Sequence, residues 1–212
     1  MLVHPWDSPI DEQEWRHQLA DGHDFGQLVA VYPDRRPVVQ PVHFAFDGDR
    51  VRFHLARPNP ILRALENDPH CVLSIVDDYA YIPGPWRVEG DTPPSSGVPT
   101  SHYASVQLSG LAELVDDPAA KAALLQRQLE HFQPTGGTAE VTAHDGPFHR
   151  MLKGIRGVIV HVDSVTAKFK YSDNRSVQLQ DSVARRLVTR DRPGDRAAAA
   201  QQLRRMRLRT EP

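Results

Sequence analysis

The chain is 212 residues long, with 40% hydrophobic and 25% charged residues and a formal net charge of -2. That balance suits a globular domain with a sizeable core, and it excludes a disordered chain or a polybasic binder of nucleic acid or membrane surface. One cysteine, Cys71, excludes an intrachain disulfide, no apolar run approaches the ~18 residues of a membrane span, and MLVHPWDSP lacks the features of a signal peptide, so a cytoplasmic protein is expected.

An extended His4-Pro5-Trp6 entry leads to a short predicted helix, Asp11 to Ala20, with Ser8 or Asp11 near its start. Leu28 to Tyr32 reads as a strand closed by the turn composition of Pro33 to Pro37. In Val38 to Phe46, Val42, Phe44 and Phe46 alternate with His43 and Ala45, which predicts a second strand, and Asp47-Gly48-Asp49 makes a hairpin turn. Val51, Phe53 and Leu55 then alternate with Arg52 and His54, the period of a half-buried strand. Arg57 and Pro58 end it. Asn59 stands where an N-cap belongs, Pro60 takes the first helical position, and Ile61, Leu62 and Leu65 supply an apolar face. Asn67-Asp68-Pro69 stops this helix, and Cys71 to Val76 reads as a buried strand in which the thiol is inert. An arginine beside a capped helix N-terminus is a place where free amides and the helix dipole suit a phosphate.

Asp77 to Trp86 is aromatic and Pro-rich, and Glu89 to Pro99 is a loop or site lid. Ser101 to Val115 is a long strand in which Gly110 suggests a bulge or barrel corner. Asp117-Pro118 opens the best helix, reaching Phe132, and Gln133 to Pro147 is a loop. Ile155 to Val162 and Ala167 to Tyr171 read as two strands, and Val177 to Val188 as a last helix. Successive hairpins favour an antiparallel barrel over alternating βαβ units. Charge is uneven: residues 1–30 carry six acids against Arg16, whereas residues 190–212 carry seven arginines against Asp191, Asp195 and Glu211. The expected organisation is a single domain over 1–189 and a flexible tail over 190–212 whose arginines are solvated.

Eleven histidines show no close ligand pair, so no metal site is expected. No Gly-x-Ser-x-Gly elbow, Gly-x-Gly-x-x-Gly turn or Walker loop occurs, and no catalytic residue can be named. Lys168 and Lys170, taken alone, read as a solvated strand face.

HLARPNP, AYIPGPW, Val98-Pro99-Thr100 with Tyr103, and MLKGIRGVIV followed by KFKYSDNR together resemble the PaiB-type FMN-binding negative transcriptional regulators, in that family's order from about His4 to about Leu187. Those regulators are split-barrel proteins related to the pyridoxamine phosphate oxidases. The resemblance implies an α+β fold, an antiparallel split β-barrel with peripheral helices, and a homodimer with FMN at the subunit interface. It implies that His54, Leu55, Ala56 and Arg57 end the strand beneath the cofactor, with Arg57 and Asn59 at the phosphate. Gln40 and His43 match the preceding strand facing the same pocket. Thr100 and Tyr103 fall in the Pro-Thr segment, and Lys168, Asn174 and Arg175 in a segment expected to face the partner's cofactor. Two departures stand out: Ser101-His102 replaces Trp-Asn, and Asp173 replaces Gln.

The implied function is a negative transcriptional regulator. The alternatives are a flavin-dependent oxidoreductase or oxidase acting on a small molecule, and a haem-binding split barrel with His43, His54 or His102 on the iron. No helix-turn-helix with a basic recognition helix is visible, so direct DNA reading lacks physical support.

Overall fold

Asp21 and Glu211, counted among the charges above, lie outside the described residues: the computed structural model describes residues 1–20 and 22–210. In chain order the elements are α1 (Glu12–Ala20), β1 (Phe25–Val31), β2 (Pro37–His43), β3 (Ala45–Asp47), β4 (Arg50–Ala56), α2 (Pro60–Asn67), β5 (His70–Ile82), β6 (Thr100–Val115), α3 (Pro118–Phe132), β7 (Ile155–Lys170), α4 (Val177–Arg190) and α5 (Asp195–Thr210). The strands form one seven-stranded sheet in the order β2-β1-β5-β6-β7-β4-β3. Its described pairings are antiparallel, giving the α+β split-barrel architecture.

The chain divides into two compact units. The first comprises residues 1–18, 76–106 and 166–210, and the second comprises Leu19–Ile75 and Gln107–Val165.

In the second unit, Val51 and Phe53 of β4 are fully buried, but the expected alternation is incomplete, because Arg52 is buried too and pairs with Asp47 at 2.7 Å. The strand pairs with β7 from Arg50↔His161 to Ala56↔Ile155. Asn59 caps α2, whose Ile61, Leu62, Ala64 and Leu65 are buried. Asp117 caps α3 by accepting from the Ala120 amide at 2.8 Å. Gly110 does not break β6, which continues to Val115. Its bare α-carbon admits a backbone approach instead: a Cβ there would lie 1.9 Å from the His161 carbonyl oxygen. Cys71 is buried in β5 and its thiol is pushed up to about 12 by desolvation.

Two expectations are corrected. The two strands read at Ile155–Val162 and Ala167–Tyr171 are one, because the Asp163–Thr166 stretch stays extended within β7. The helix at Val177 is not the last, and residues 190–210 are not a loose tail. The α-helix Asp195–Thr210 carries Arg205, which is fully buried. The Arg205 guanidinium reaches Glu14 at 2.5 Å, Asp173 at 2.6 Å and the Ser8 carbonyl at 2.9 Å. Arg204 also pairs with Glu14, Arg209 with Asp173, Arg190 with Asp195 and Arg196 with Asp191. A composition that reads as solvated is thus largely committed to internal carboxylates. Where α4 ends, Asp191 turns through a left-handed φ of 52° and Gly194, at φ 85°, starts α5 against the Tyr79 carbonyl.

Candidate functional site: an arginine-lined cleft

The geometry of the second unit is set where β4 hands over to α2. Asn59 is extended, with φ -62° and ψ 126°. Its Oδ1 accepts from the Ile61 amide at 3.1 Å, and its Nδ2 donates to Gln40 Oε1 at 3.0 Å. One side chain therefore caps α2 and ties it to β2, bringing Gln40 and Asn59 together. The Leu62 amide is taken by the Asn59 carbonyl at 3.2 Å, and Pro60 has no N–H. The free helix amides expected from the sequence are largely occupied. Side chains must supply the donors.

Those side chains are guanidiniums. A cleft of about 720 Å³ beside the cap is lined by Tyr32, Arg36, Arg57, Asn59, Arg63 and Arg156, with Asp34 and Glu66 as its acids. Arg36 pairs with Asp34 at 2.7 Å. Arg57 is held by Asp116 at 2.8 Å and by the Lys153 carbonyl at 3.2 Å. Arg156 pairs with Asp116 and with Glu66. The Arg156 guanidinium, followed by Arg57, holds the Asp116 carboxyl below its usual range. Arg63 is exposed and makes no ion pair among the described residues. It is the open fork of the site.

Arg63 escaped the sequence reading although it lies one turn into a helix whose cap faces the site. Arg156 could not be found locally, because the register Leu55↔Arg156 across β4 and β7 brings it there. Leu55 is buried and Ala56 exposed, both at the end of β4.

His43 and His54 also lie in the second unit, with ring centroids 6.1 Å apart. His54 Nδ1 is 2.8 Å from Gln128 Oε1. An amide oxygen only accepts, so in this arrangement Nδ1 is the donor. His54 lines a second cavity of about 370 Å³ whose walls include Leu125, Leu129, Val141, Phe148 and Ile155.

The remaining expected residues belong to the first unit. Thr100 and Tyr103 are half-buried on β6, and the Tyr103 ring lies 6.0 Å from Lys168 Nζ and 5.8 Å from Lys170 Nζ. Lys168 is not on a solvated face: it is buried, donates to the Leu2 carbonyl at 2.9 Å and lies 3.6 Å from Asp7. Asn174 and Arg175 are exposed in the turn after Ser172, which has a φ of 63°. Arg175 stands 3.8 Å from Glu89. Asp173, the acid at one of the family departures, faces Arg205 and Arg209. Burial pushes its carboxyl above the usual range, against the pull of Arg205. At the other departure His102 is fully buried, its Nε2 3.0 Å from Ser172 Oγ.

The donor set of the cleft fits FMN. Several guanidiniums beside a capped turn suit a dianionic phosphate, and Tyr32 offers an aromatic edge. Residues 4–164 match the model of the family described as "Putative FMN-binding domain". No curated protein sequence matches the chain significantly. Among solved structures, the chain is similar to the flavocytochrome Anf3 of Azotobacter vinelandii, with 19% identity over 78% of this chain and 70% of that one, TM-score 0.60. It is similar to the FAD and heme binding protein of Mycobacterium smegmatis, with 20% identity over 78% and 76% of the two chains, TM-score 0.59. A conserved hypothetical protein of Mycobacterium tuberculosis has 16% identity over 80% and 90%, TM-score 0.56.

Proposed function

The chain belongs to this family of FMN-binding domains, and from that premise we propose that it is a PaiB-type flavoprotein using FMN for redox chemistry on a small molecule. The observation that carries the reading is the arginine-lined cleft beside the Asn59 cap. Arg63 and Arg57 would hold the terminal phosphate, with Arg36 and Arg156 as flanking charge and Asn59 fixing the turn. Gln40, His43, His54, Leu55 and Ala56 belong to the same proposed binding surface; Lys168, Asn174 and Arg175 are proposed to face the partner subunit's cofactor, and Thr100 and Tyr103 are proposed cofactor residues of the Pro-Thr segment. The isoalloxazine, when bound, supplies the electron transfer, and the protein's part is to bind, orient and exclude water.

Redox chemistry is favoured over the family's regulatory role by what α5 does with its charge. Arg204, Arg205 and Arg209 face Glu14 and Asp173, so among the described residues of α5 these three arginines are engaged with acids and not arrayed for a phosphate backbone. The protein is proposed to act in the cytoplasm as a homodimer. Phe25, Val39 and Val31, on β1 and β2, are exposed large hydrophobics that a partner subunit would cover. No helix among the described residues is long and apolar enough to cross a membrane.

A second reading is favoured by His54. The residue lines an apolar cavity, and the Gln128 hydrogen bond at Nδ1 orients the ring as a second partner orients a metal-bound imidazole. Two of the similar folds bind haem by their names. The absorption spectrum of the purified protein tests both readings. A flavin spectrum with FMN bound more tightly than riboflavin supports the first, a Soret band abolished by His54→Ala the second, and neither chromophore after reconstitution removes both. Light scattering at micromolar concentration tests the dimer.

A further inference from the structure

Within the second unit, the cavity at His54 stands apart from the arginine cleft. The register of β4 and β7 sets Ala56 opposite Ile155, His54 opposite Gly157 and Leu55 opposite Arg156. Side chains alternate across a strand, so His54 and Ile155 share one face and Arg156 stands on the other. His54 and Ile155 are walls of the cavity of about 370 Å³, whereas Arg156 lines the cleft. The cavity is therefore a separate hollow, across the sheet from Arg156.

Helix α3 and the chain after it enclose this hollow. Residues 133–150 run without helix or strand, and the Val141 amide fastens them to α3 by donating to Gln126 Oε1 at 3.1 Å. Val141 and Leu152 form a buried cluster with Ala122. Leu125, Leu129, Phe148 and Ile155 pack against that cluster, line the hollow, and stay only half-buried. Four large apolar side chains around one hollow thus keep surface that the chain itself does not cover, which is unfavourable in water. No aspartate, glutamate, lysine or arginine is among the described residues that line it, and its polar groups are His54, Gln133 and Thr138. Gln128 shares a face of α3 with Leu125 and Leu129, is buried, and holds the His54 ring through Oε1. Its Nε2 is shielded from water and has no acceptor, and a buried donor left unmet is costly.

We infer that this hollow binds a small uncharged aromatic molecule of two fused rings, with an oxygen substituent at the end held by His54 and Gln128. Size argues for two rings: an apolar cavity of about 150 Å³ takes up benzene, and this one is about 370 Å³. The lining argues for an uncharged ring system. Leu125, Leu129, Ile155 and the Phe148 ring offer contact area, while a carboxylate or ammonium entering there would find no opposite charge. The His54–Gln128 pair supplies the few polar contacts that fix orientation in such a pocket. The site goes beyond the flavin reading and does not depend on FMN occupying the cleft.

The test is isothermal titration of 2-naphthol into the full-length protein, with and without FMN, alongside 2-naphthoate and decanoate. The expected result is saturable binding of 2-naphthol in both states, with 2-naphthoate at least about tenfold weaker for want of a cation. Leu129→Trp, which fills the hollow from α3, should weaken 2-naphthol about tenfold or more. Arg185→Met, which removes an exposed charge paired with Asp181 on α4, should leave it unchanged. Should Leu129→Trp fail to fold, the smaller change Leu129→Phe carries the test. Absence of saturable 2-naphthol binding, or unchanged affinity in the filled variant, overturns the inference. Tighter binding of decanoate also overturns it, because the hollow would then suit an acyl chain. A Soret band abolished by His54→Ala overturns it in favour of haem, and loss of 2-naphthol binding on adding FMN would give the hollow to the flavin ring. FMN occupancy is read separately from its absorption, so failure of the FMN reading and failure of this one remain distinguishable.

Discussion

Two groups of arginines in this protein have opposite surroundings. In the first unit the Arg205 side chain has 0% exposure and lies between Glu14 and Asp173, whose side chains are 2% and 1% exposed. In the second unit Arg57 is 47% exposed and faces Asp116, itself 45% exposed, while Arg63 is exposed and makes no ion pair among the described residues. A desolvated arginine with its carboxylates already in place is closed to outside anions, and removing it strands buried charge. A half-exposed arginine loses little water on exchanging a carboxylate for a phosphate. The same side chain is thus a fastener in one unit and a docking point in the other, and burial decides which.

The largest expected effect tests the fastener. Arg205→Met keeps most of the volume but leaves Glu14 and Asp173 without their shared cation. It should cost about 3–5 kcal/mol of unfolding free energy, the range for removing one member of a buried ion pair. Arg63→Met should stay within about 0.5 kcal/mol of wild type, as surface changes do. Urea denaturation of the two variants reads the difference, and equal losses would break the comparison. The pH response has a definite sign. The folded Asp173 carboxyl sits above its ordinary 3.8. A raised carboxyl favours the fold when protonated, and that contribution is lost as pH rises through the folded pKa. Without Arg205 the carboxyl rises further, so the deficit of Arg205→Met should shrink on acidification.

These two groups also differ in how far they can be read from the chain alone. Asn59-Pro60 and the alternation of Val51, Phe53 and Leu55 are local signals, and the cap, the strand and the place of the cleft follow from them. Arg156 reaches the cleft through a pairing of strands about a hundred residues apart, which no local pattern encodes. Arg205 is harder still. Its neighbours in α5 are arginines and glutamines that read as a solvated face, and its partners Glu14 and Asp173 are distant in sequence. The sequence predicts two strands where one runs from Ile155 to Lys170, because a sheet carries the polar Asp163-Ser164 stretch within a single strand.

The next effect tests the docking point. Arg63→Ala should weaken FMN by about 2–3 kcal/mol, the worth of a hydrogen bond to a charged group, or roughly 30- to 150-fold. Riboflavin, without the phosphate, should bind the variant as it binds wild type. Arg57→Ala should cost FMN less, because Arg57 is already shared with Asp116 and the Lys153 carbonyl. Flavin fluorescence quenching measures these affinities. Equal losses for both flavins would place Arg63 away from the phosphate.

A smaller effect should come from the cap. Asn59→Ala removes the acceptor for the Ile61 amide and the link to Gln40. It should cost about 1 kcal/mol of stability, typical of a lost N-cap. A glycine at the same position should recover most of that stability, since Gly is tolerated as an N-cap. It should not recover FMN affinity if the Gln40 link fixes the turn beside the phosphate. Thermal melts and FMN titrations on the two variants separate capping from site geometry.

The smallest effect bears most directly on why an exposed ion pair sits in a binding cleft. Asp116 holds both Arg57 and Arg156, so a phosphate entering the cleft competes with it. Asp116→Asn keeps the shape and removes the charge, which should free both guanidiniums and tighten FMN by about 0.5–1 kcal/mol, or roughly two- to fivefold. If Asp116 instead acts mainly to aim the arginines, the same change weakens FMN. The pH dependence is separable from this. The Asp116 pKa is lowered by Arg156 and Arg57, so its ion pairs persist above the ordinary carboxylate range and are lost only as pH falls through the lowered value. A phosphate monoester takes up its second proton near pH ~6. Between about pH 5 and 8, therefore, FMN affinity of wild type and variant should fall together on acidification, following the phosphate, with a constant ratio between them. A ratio that drifts across that range would mean that another group titrates in the cleft, and that Asp116 is not the competitor.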